Sequence, residues 1–419
     1  MARLFHITLF TLAYVCFFSV VLHAQDRRLN RILPKPDSDY MVKVPRKDTT
    51  VRAKDLSDVF NSIFHKGRPK VITKDTITTK PVFSYIPAVG YTLETEFVVS
   101  LTGNVAFRTD SQAHISTITS NIGYTQNKQF TFPVESEIWT KDNSYSLVGD
   151  YRFYKYPQST FGLGTNADIK NEDPMDYIYV RFHEVALKHF TGNFFAGAGY
   201  IIDYHGNISH QGTLNGAPSD YATYGTEGHT ISSGITLQTL YDSRENSIYP
   251  DNGTYASLQY RDNYKILGST RGWRSLIIDF RKYFKLPANT DNVLAFWSYD
   301  WLTISGKPPY LDLPSTGWDP YASTGRGYIQ GRFRGAQEVY AETEYRFKIS
   351  PNGLFGGVVF ANVQSFSGAP GTPLQSIQPG FGPGLRIKLN KVSKTNIDID
   401  YGFGREGSRG LFINVGELF

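Results

Sequence analysis

The sequence comprises 419 residues with a formal net charge of +5, and 15% of its residues are aromatic, including 28 Tyr and 29 Phe. Its mean hydropathy of −0.32 excludes a bundle of membrane-spanning helices. Abundant Tyr, Phe and Gly at modest hydropathy are typical of strands that face lipid on one side and water on the other. The composition therefore favours a β-barrel if the chain enters a membrane.

The first 24 residues are typical of a signal peptide. Arg3 precedes an apolar stretch from Leu9 to Leu22, and we expect cleavage after Ala24. The stretch is short for a spanning helix, so a membrane anchor is the weaker alternative. The single cysteine, Cys16, lies inside this segment. The mature chain should therefore contain no disulfide.

Residues 25–80 are predicted to form a basic periplasmic arm. Residues 26–80 carry 14 Lys and Arg against 7 Asp and Glu, whereas residues 81–419 carry 28 against 31. This charge fits an acidic partner, anionic lipid or a solvated tail, and an exported chain has no nucleic acid to bind. The arm is predicted to be disordered except at Asp55–His65, where apolar residues at helical spacing behind Asp55 predict a short amphipathic helix.

From Val82 onward, apolar residues recur with period two. This alternation predicts that residues 81–419 form an all-β, antiparallel transmembrane barrel. An even number of strands suits closure of such a barrel. We expect about 16 strands, centred on Ile86, Ser100, Ser120, Val134, Tyr151, His183, Ala198, Ile235, Leu258, Ile278, Ser298, Thr343, Phe360, Leu385, Ile399 and Val415.

Charged residues identify the inward face of these strands. Near Thr343, the residues Glu342 and Glu344 alternate with apolar ones, and carboxylates cannot face hydrocarbon without a large cost. They are therefore predicted to line the lumen. Interfacial girdles are typical sites for aromatic residues, and we assign to them Tyr283, Trp297, Trp301 and Tyr401.

The connections alternate in length along the predicted barrel. Turns after even-numbered strands are mostly short, whereas three loops after odd-numbered strands are long, namely Tyr156–Asp176, His205–Gly228 and Gly306–Arg334. Short periplasmic turns and long outer loops are usual in outer-membrane barrels. The pattern predicts a bacterial outer-membrane protein that is surrounded by the lipid bilayer of the outer membrane, with both termini in the periplasm.

Three motifs, in chain order, resemble the BamA/TamA-type barrels of the bacterial surface antigen family. The segments Tyr241–Asn246 and Tyr249–Gly253 resemble a periplasmic turn of that family. Gly325–Tyr328 resembles its Arg-Gly-Phe/Tyr signature in the sixth outer loop, and our strand count also places it there. Glu344–Phe347, followed by Phe360–Asn362, resembles the next two strands. The resemblance covers the whole predicted barrel and implies the family's fold.

The loop motif, which includes Tyr328, has a physical interpretation. Gly325 and Gly327 allow the loop to fold sharply into the lumen. Arg326 then requires a carboxylate there, and Glu344 is the best candidate. The resemblance implies a second partner, an Asp, where this chain has Asn362, so weaker pairing is expected. The alternatives are an outer-loop arginine on lipopolysaccharide and an ordinary lumen-lining glutamate.

No sequence pattern indicates catalysis. The chain has no His-Glu-x-x-His motif, no Cys/His metal spacing and no nucleophile elbow. Asp242 and Arg244 are interpreted as turn-fixing charges and, with Pro250 and Gly253, are assigned to the periplasmic turn. We therefore predict no catalytic residue, cofactor or metal, and expect that the chain is not an enzyme.

The last predicted strand ends in the aromatic residue Phe419. Leu411, Ile413 and Val415 share its face of that strand by alternation. The resemblance implies that this terminal aromatic strand is an assembly signal, which the barrel-assembly machinery recognises. The chain would then be a client of that machinery.

Three functions stay open at this point. The first is insertion or translocation of protein or lipid, at an imperfect seam between the first and last strands where Pro87 removes a ladder donor. The second is a passive or gated pore, plugged by the Arg326 loop. The third is an accessory subunit docked through residues 26–80. No βαβ pattern precedes the first strand, so the chain resembles the subset of the family without POTRA domains. Its substrate and its oligomeric state stay open.

Overall fold

A computed structural model describes residues 53–56, 58–59, 79–111, 113–225, 228–391 and 394–419. All of them belong to the unit Val51–Phe419. The predicted signal peptide, residues 1–24, lies outside the described residues, as does most of the predicted arm, residues 25–80. Within the described ranges, no helix is long and apolar enough to cross a membrane.

One antiparallel sheet closes on itself into a 16-stranded transmembrane barrel. The strands are β1 Val82–Thr92, β2 Glu96–Phe107, β3 Ser116–Thr125, β4 Phe130–Trp139, β5 Tyr145–Lys155, β6 Asp173–Thr191, β7 Phe194–His210, β8 Thr230–Asp242, β9 Gly253–Asn263, β10 Trp273–Lys285, β11 Val293–Gly306, β12 Gln337–Lys348, β13 Phe355–Phe366, β14 Gln378–Asn390, β15 Thr395–Phe403 and β16 Arg409–Val415. Every predicted centre lies within its strand, so the predicted fold class is confirmed.

Short elements occupy the connections between these strands. An additional strand, Gln158–Thr160, pairs with the start of β6. Helix α1 spans Asp220–Tyr224, with the Ser219 side chain as its cap. Single 3₁₀ turns span Lys141–Asn143, Ile169–Asn171, Lys265–Leu267, Tyr310–Asp312 and Arg405–Gly407.

The barrel has two different ends. We call the end that carries the short turns, the start of β1 and the end of β16 the turn end, and the opposite one the loop end. Two predicted loops, Tyr156–Asp176 and His205–Gly228, prove too long, because β6 and β7 continue to pair up to Met175 opposite His210. These two strands therefore extend further towards the loop end than the sequence pattern predicted.

Alternation separates an apolar outer wall from a polar lumen. In β12, Glu342 and Glu344 are buried inside the barrel, whereas Ala341 is exposed on the outer wall. The outer wall carries large exposed apolar residues such as Phe83 and Val99, which suits contact with lipid. The predicted lumen faces are thus confirmed.

The predicted aromatic girdle is wrong for three of its four residues. Tyr283 and Trp297 are buried within the lumen, and Trp301 packs against the same cluster. Period two explains this, because Tyr283 shares its face of β10 with the ion pair of Asp279 and Arg281. Only Tyr401 faces outward.

The described part of the arm begins as a capped helix. The main-chain N–H of Asp58 donates to Asp55 Oδ1 at 2.9 Å, and that of Asp55 donates to Asp58 Oδ2 at 3.2 Å. The predicted Asp55 cap is therefore present. Lys391, in the turn between β14 and β15, binds both carboxylates. Beyond Val59, the predicted helix lies outside the described residues.

Asp300 allows the assignment of faces to be tested. It has the outward parity of β11, opposite Ile278 of β10 and Val339 of β12, and its Oδ1 has no hydrogen-bond partner. On β10, the outward residues Arg274 and Lys282 lie four positions to either side of Ile278. Asp300 therefore lies midway between the charged outward residues that flank this part of the wall.

We expect Asp300→Val to raise the free energy of unfolding by on the order of 1–2 kcal/mol, because it removes a carboxyl group from the lipid face. The matched control is Asp279→Val on the inward face, where Asp279 pairs with Arg281 at 2.6 Å and accepts from Trp297 at 3.0 Å. The control should lower the free energy of unfolding by about 3–5 kcal/mol. Denaturant unfolding in micelles measures both, and equal losses would contradict the assignment.

Candidate functional site

The connection between β11 and β12, residues 307–336, folds into the barrel, and we call it the lumen loop. Its side chains are mostly buried, among them Tyr310, Leu313 and Phe333. Near its start, Asp312 accepts from Ser232 of β8 at 2.6 Å. Burial, and then the nearby charge of Asp203, raise the pKa of Asp312 to about 7. The loop is therefore anchored to the wall before it reaches its central motif.

Arg326 is the centre of that motif, and it is 2% exposed. Its Nη1 donates to Asp400 of β15 at 2.7 Å, and its Nη2 donates to Glu344 of β12 at 2.5 Å. Glu342, also on β12, accepts from the same Nη2. The guanidinium lies 3.7 Å from the centre of the Phe360 ring. The structure thus brings together Arg326 and its predicted partner Glu344, and adds two carboxylates that the sequence did not identify.

Asn362 plays a different part from the one inferred from the resemblance. Its Nδ2 donates to the main-chain oxygen of Arg326 at 3.0 Å, so it holds the loop backbone. The guanidinium already has three carboxylate partners, which include Asp400 and Glu342. The weaker pairing expected from a missing Asp is therefore not seen. Alternation along β15 marks Asp400 as inward-facing, but its height relative to Arg326 depends on the stagger of the strands.

Gly325 and Gly327 have the conformations that the motif predicts. Their φ angles are 80° and 103°, a region that favours glycine. A Cβ at Gly327 would lie 2.8 Å from the main-chain oxygen of Phe403 in β15. The loop backbone therefore lies directly on the barrel wall at this point.

The wall provides space for this contact through its own glycines. A Cβ at Gly380 of β14 would lie 2.6 Å from the Arg326 main-chain oxygen. A Cβ at Gly402 of β15 would lie 2.6 Å from the Gly327 nitrogen. Sequence reasoning missed this surface, although inward-facing glycines recur in Pro379–Gly384 and mark close backbone approach.

Tyr328 completes the motif by contacting one strand and one connection. Its hydroxyl donates to the Pro379 main-chain oxygen at 2.7 Å and accepts from the Arg405 N–H at 2.9 Å. Its ring packs edge-on against Phe333 at 5.2 Å. Tyr328 therefore holds the lumen loop against β14 and the connection between β15 and β16.

Two further arginines extend the network towards the turn end. Arg346 of β12 donates to Glu344 at 2.6 Å and lies 3.5 Å from Glu417. Arg386 of β14 lies 2.5 Å from Asp400 and 3.1 Å from Glu417. Asp398 of β15 lies 3.2 Å from Arg386. We call this set the arginine network; it comprises Arg326, Arg346, Arg386, Glu342, Glu344, Asp398, Asp400 and Glu417. It connects the lumen loop to the residues that follow β16.

Those last residues, 416–419, leave the sheet and turn into the lumen. Gly416 has a φ of 98°, which ends the strand conformation. The Phe419 ring stacks on Trp297 at 5.2 Å, and its main-chain oxygen accepts from Arg346 at 2.9 Å. The prediction that Phe419 shares the outward face of Val415 is wrong, because the strand ends at Val415. Its role as an assembly signal stays a prediction.

The seam between the first and last strands is nearly unpaired. β1 pairs with β2 from Val82 to Thr92, but with β16 only where Tyr91 lies opposite Ile413. Among the described strands, none pairs with the part of β1 around Pro87 on this side, because the chain turns inward after Val415.

The predicted periplasmic turn, Tyr241–Asn246 with Tyr249–Gly253, lies next to the arginine network at the turn end. Arg244 donates to both carboxylate oxygens of Asp242, at 2.9 and 2.8 Å. The main-chain oxygen of Pro250 accepts from Arg346 at 3.4 Å. Gly253 has a φ of 105°, and a Cβ there would lie 2.6 Å from the Ser243 oxygen. The Asp242–Arg244 pair thus lies within the turn, whereas Pro250 contacts the arginine network, and the assignment of the four residues to a periplasmic turn stays a prediction.

Solved structures with this fold are similar to the chain at low identity. BamA from Haemophilus ducreyi, lacking POTRA domains 1–3, gives a TM-score of 0.54 at 12% identity over 80% of this chain and 70% of that one. CdiB from Acinetobacter baumannii gives 0.51 at 13% over 80% and 60%. CdiB from Escherichia coli gives 0.51 at 10% over 80% and 62%. The chain thus spans about three fifths of the CdiB chains.

These similarities define the architecture of the chain. It has the barrel fold of BamA and CdiB, as the resemblance of its motifs implied. No protein-family model and no curated protein matches the sequence. Within the described ranges, no cluster of His, Cys, Asp and Glu is arranged to hold a metal ion.

Replacing Asn362 tests how the loop is held. We expect Asn362→Asp to lower the free energy of unfolding by about 1–3 kcal/mol, because an ionised Asp cannot donate to the Arg326 oxygen. The matched control is Asn104→Asp on the inward face of β2, where the Thr119 hydroxyl that now accepts at 2.7 Å is able to donate instead.

Denaturant unfolding and limited proteolysis of the lumen loop measure both variants. Greater stability or greater protease resistance in Asn362→Asp would show that an additional carboxylate strengthens the hold on Arg326. That result would contradict the role of the Asn362 amide as the group that holds the loop backbone.

Proposed function

We propose that the chain is an outer-membrane barrel that takes part in inserting or translocating protein or lipid at that membrane. The observation that carries this proposal is the single pairing position between β1 and β16, at Tyr91 and Ile413. Its turn end, with the strand termini, faces the periplasm, since short turns lie on that side in such barrels.

The exposed edge supplies the chemistry of this function. Unpaired N–H and C=O groups of a strand edge are able to pair with an incoming strand. Pro87 has no N–H, so the edge is incomplete there and a permanent ladder with β16 is disfavoured. An incoming segment can therefore pair with β1 without first breaking a continuous ladder.

The arginine network keeps β16 away from this edge. Residues 416–419 would otherwise continue beside the part of β1 nearer the turn end. Arg346 instead holds the Phe419 oxygen at 2.9 Å, and Glu417 lies 3.1 Å from Arg386. The unpaired state of the seam is thus stabilised from inside the barrel.

A disulfide across the seam tests the proposal. The pair is Tyr91→Cys with Ile413→Cys, because these two residues lie opposite each other across the seam. We expect the oxidised pair to reduce insertion of a reporter barrel into proteoliposomes by about tenfold or more, and reduction to restore it. The reason is that a covalent link at the one paired position prevents β1 and β16 from separating, so an incoming segment cannot enter between them.

The matched control is Val99→Cys with Tyr124→Cys, a pair on the same outer face between β2 and β3. Those strands are already joined by a ladder, so oxidation there should leave insertion unchanged. Full insertion activity with the seam oxidised would refute the role of the seam.

The pore alternative is weakened by the lumen loop, which occupies the interior of the barrel, and by hydrogen bonds that join connections at the loop end. Gln129 donates to Glu94 at 3.3 Å and to the Pro157 oxygen at 2.9 Å. Tyr156 donates to Gln330 of the lumen loop at 2.6 Å. Four connections at the loop end, the lumen loop among them, are thus joined by hydrogen bonds, whereas Glu135 is exposed nearer the turn end.

Planar-bilayer conductance tests this alternative. We expect the unchanged chain to conduct no measurable current, since the lumen loop occupies the interior of the barrel. Arg326→Ala should introduce fluctuating channels, because it removes the guanidinium that holds the lumen loop to β12 and β15. A steady current through the unchanged chain would favour the pore.

A further inference from the structure

The connection between β9 and β10, residues 264–272, combines exposed apolar and basic side chains. Ile266 is 92% exposed, and its neighbours Tyr264 and Leu267 are also exposed. An isoleucine this exposed is unfavourable in water, because nearly all of its apolar surface stays hydrated. The tip of this connection, residues 264–267, is therefore suited to an apolar environment.

An open groove of about 240 Å³ lies beside this tip, at the loop end of the outer wall. Its lining includes Lys265, Arg274 and Asp262. Arg274 has the outward parity of β10 and is half exposed. Ile304, at the loop end of β11, adds another exposed apolar side chain on the same wall. The groove is thus open towards lipid rather than towards the lumen.

Asp262 orients the arginine and leaves its outer nitrogens available. Its Oδ2 accepts from Arg274 Nε and from the Tyr264 hydroxyl, each at 2.8 Å, and from the Tyr260 hydroxyl at 3.3 Å. The two Nη atoms of Arg274 and the Lys265 ammonium have no hydrogen-bond partner among the described residues. From Asn263 to Ile278 the sequence has no acidic residue.

We propose that this groove binds the phosphorylated headgroup of a lipid in the outer leaflet, with Ile266 and Leu267 against its acyl chains. Arg274 and Lys265 supply the donors that a phosphate requires, and Asp262 holds Arg274 in the orientation that presents them. The apolar tip distinguishes a lipid from a soluble anion. The proposal rests on the outward orientation of the loop end, but not on the seam.

Retention of lipid by the purified full-length chain tests the proposal. The chain is placed in phosphatidylcholine nanodiscs that contain a small fraction of bisphosphorylated lipid A, and bound lipid is counted by native mass spectrometry. We expect selective retention of this lipid, and about tenfold weaker retention by Lys265→Gln with Arg274→Gln. Ile266→Asp should weaken retention as well, although it leaves both cations in place.

The matched control is Arg409→Gln, which removes an exposed cation at the loop end of β16 on another part of the wall. It should retain the lipid as the unchanged chain does. Heat-modifiable migration on gels verifies that each variant is a folded barrel.

Two outcomes would overturn the proposal. Equal retention of lipid A from which the phosphates have been removed would show that the groove does not recognise the headgroup. Complete displacement of the lipid by an equal concentration of inorganic phosphate would show that the groove is a soluble-anion site. Seam activity is measured separately, so failure of the lipid test leaves that proposal intact.

Discussion

Burying the guanidinium of Arg326 is the constraint on which the rest of the lumen depends. A charge removed from water must be paired and fully hydrogen-bonded, or its desolvation costs several kcal/mol. Glu344, Glu342 and Asp400 pair with both Nη atoms of Arg326, whereas its Nε has no hydrogen-bond partner among the described residues. Together the three carboxylates bring more negative charge than Arg326 neutralises. Arg346 and Arg386 offset this excess, and both arginines also bind Glu417. One buried cation thus determines how the lumen loop, three wall strands and the last residues are arranged.

Parity along each strand could be predicted from the sequence, because it depends only on the local alternation of side chains. This is why every strand centre and the inward orientation of Glu344 are correct. Height within the barrel depends on the stagger between strands, which no single strand encodes. Asp400 could therefore be recognised as inward-facing without being matched to Arg326. The girdle assignment failed for a related reason, since Tyr283 and Trp297 were judged by residue type instead of by parity.

The alternation pattern did not predict where β16 ends. Leu411, Ile413 and Val415 alternate regularly, so extending the pattern to Phe419 was the simplest interpretation. Gly416 ends that alternation by adopting a positive φ. The inward turn is stabilised by the contact of Phe419 with Trp297, which lies far away in sequence. The role of the glycines in β14 and β15 also depends on residues distant in sequence, since the loop that they accommodate reaches them only in the folded chain.

The closure of the barrel has a mechanical consequence. Around most of the circumference, lateral pressure from a bilayer is resisted by hydrogen-bonded ladders, which are stiff and distribute load over many residues. At the boundary between β1 and β16, the described strands are joined by one strand pairing, because the bond from Arg346 to Phe419 ties the end of β16 to β12 and not to β1. Circumferential strain will therefore concentrate at this boundary. A thinner or more curved bilayer will change the width of the barrel there before it deforms any other part of the wall.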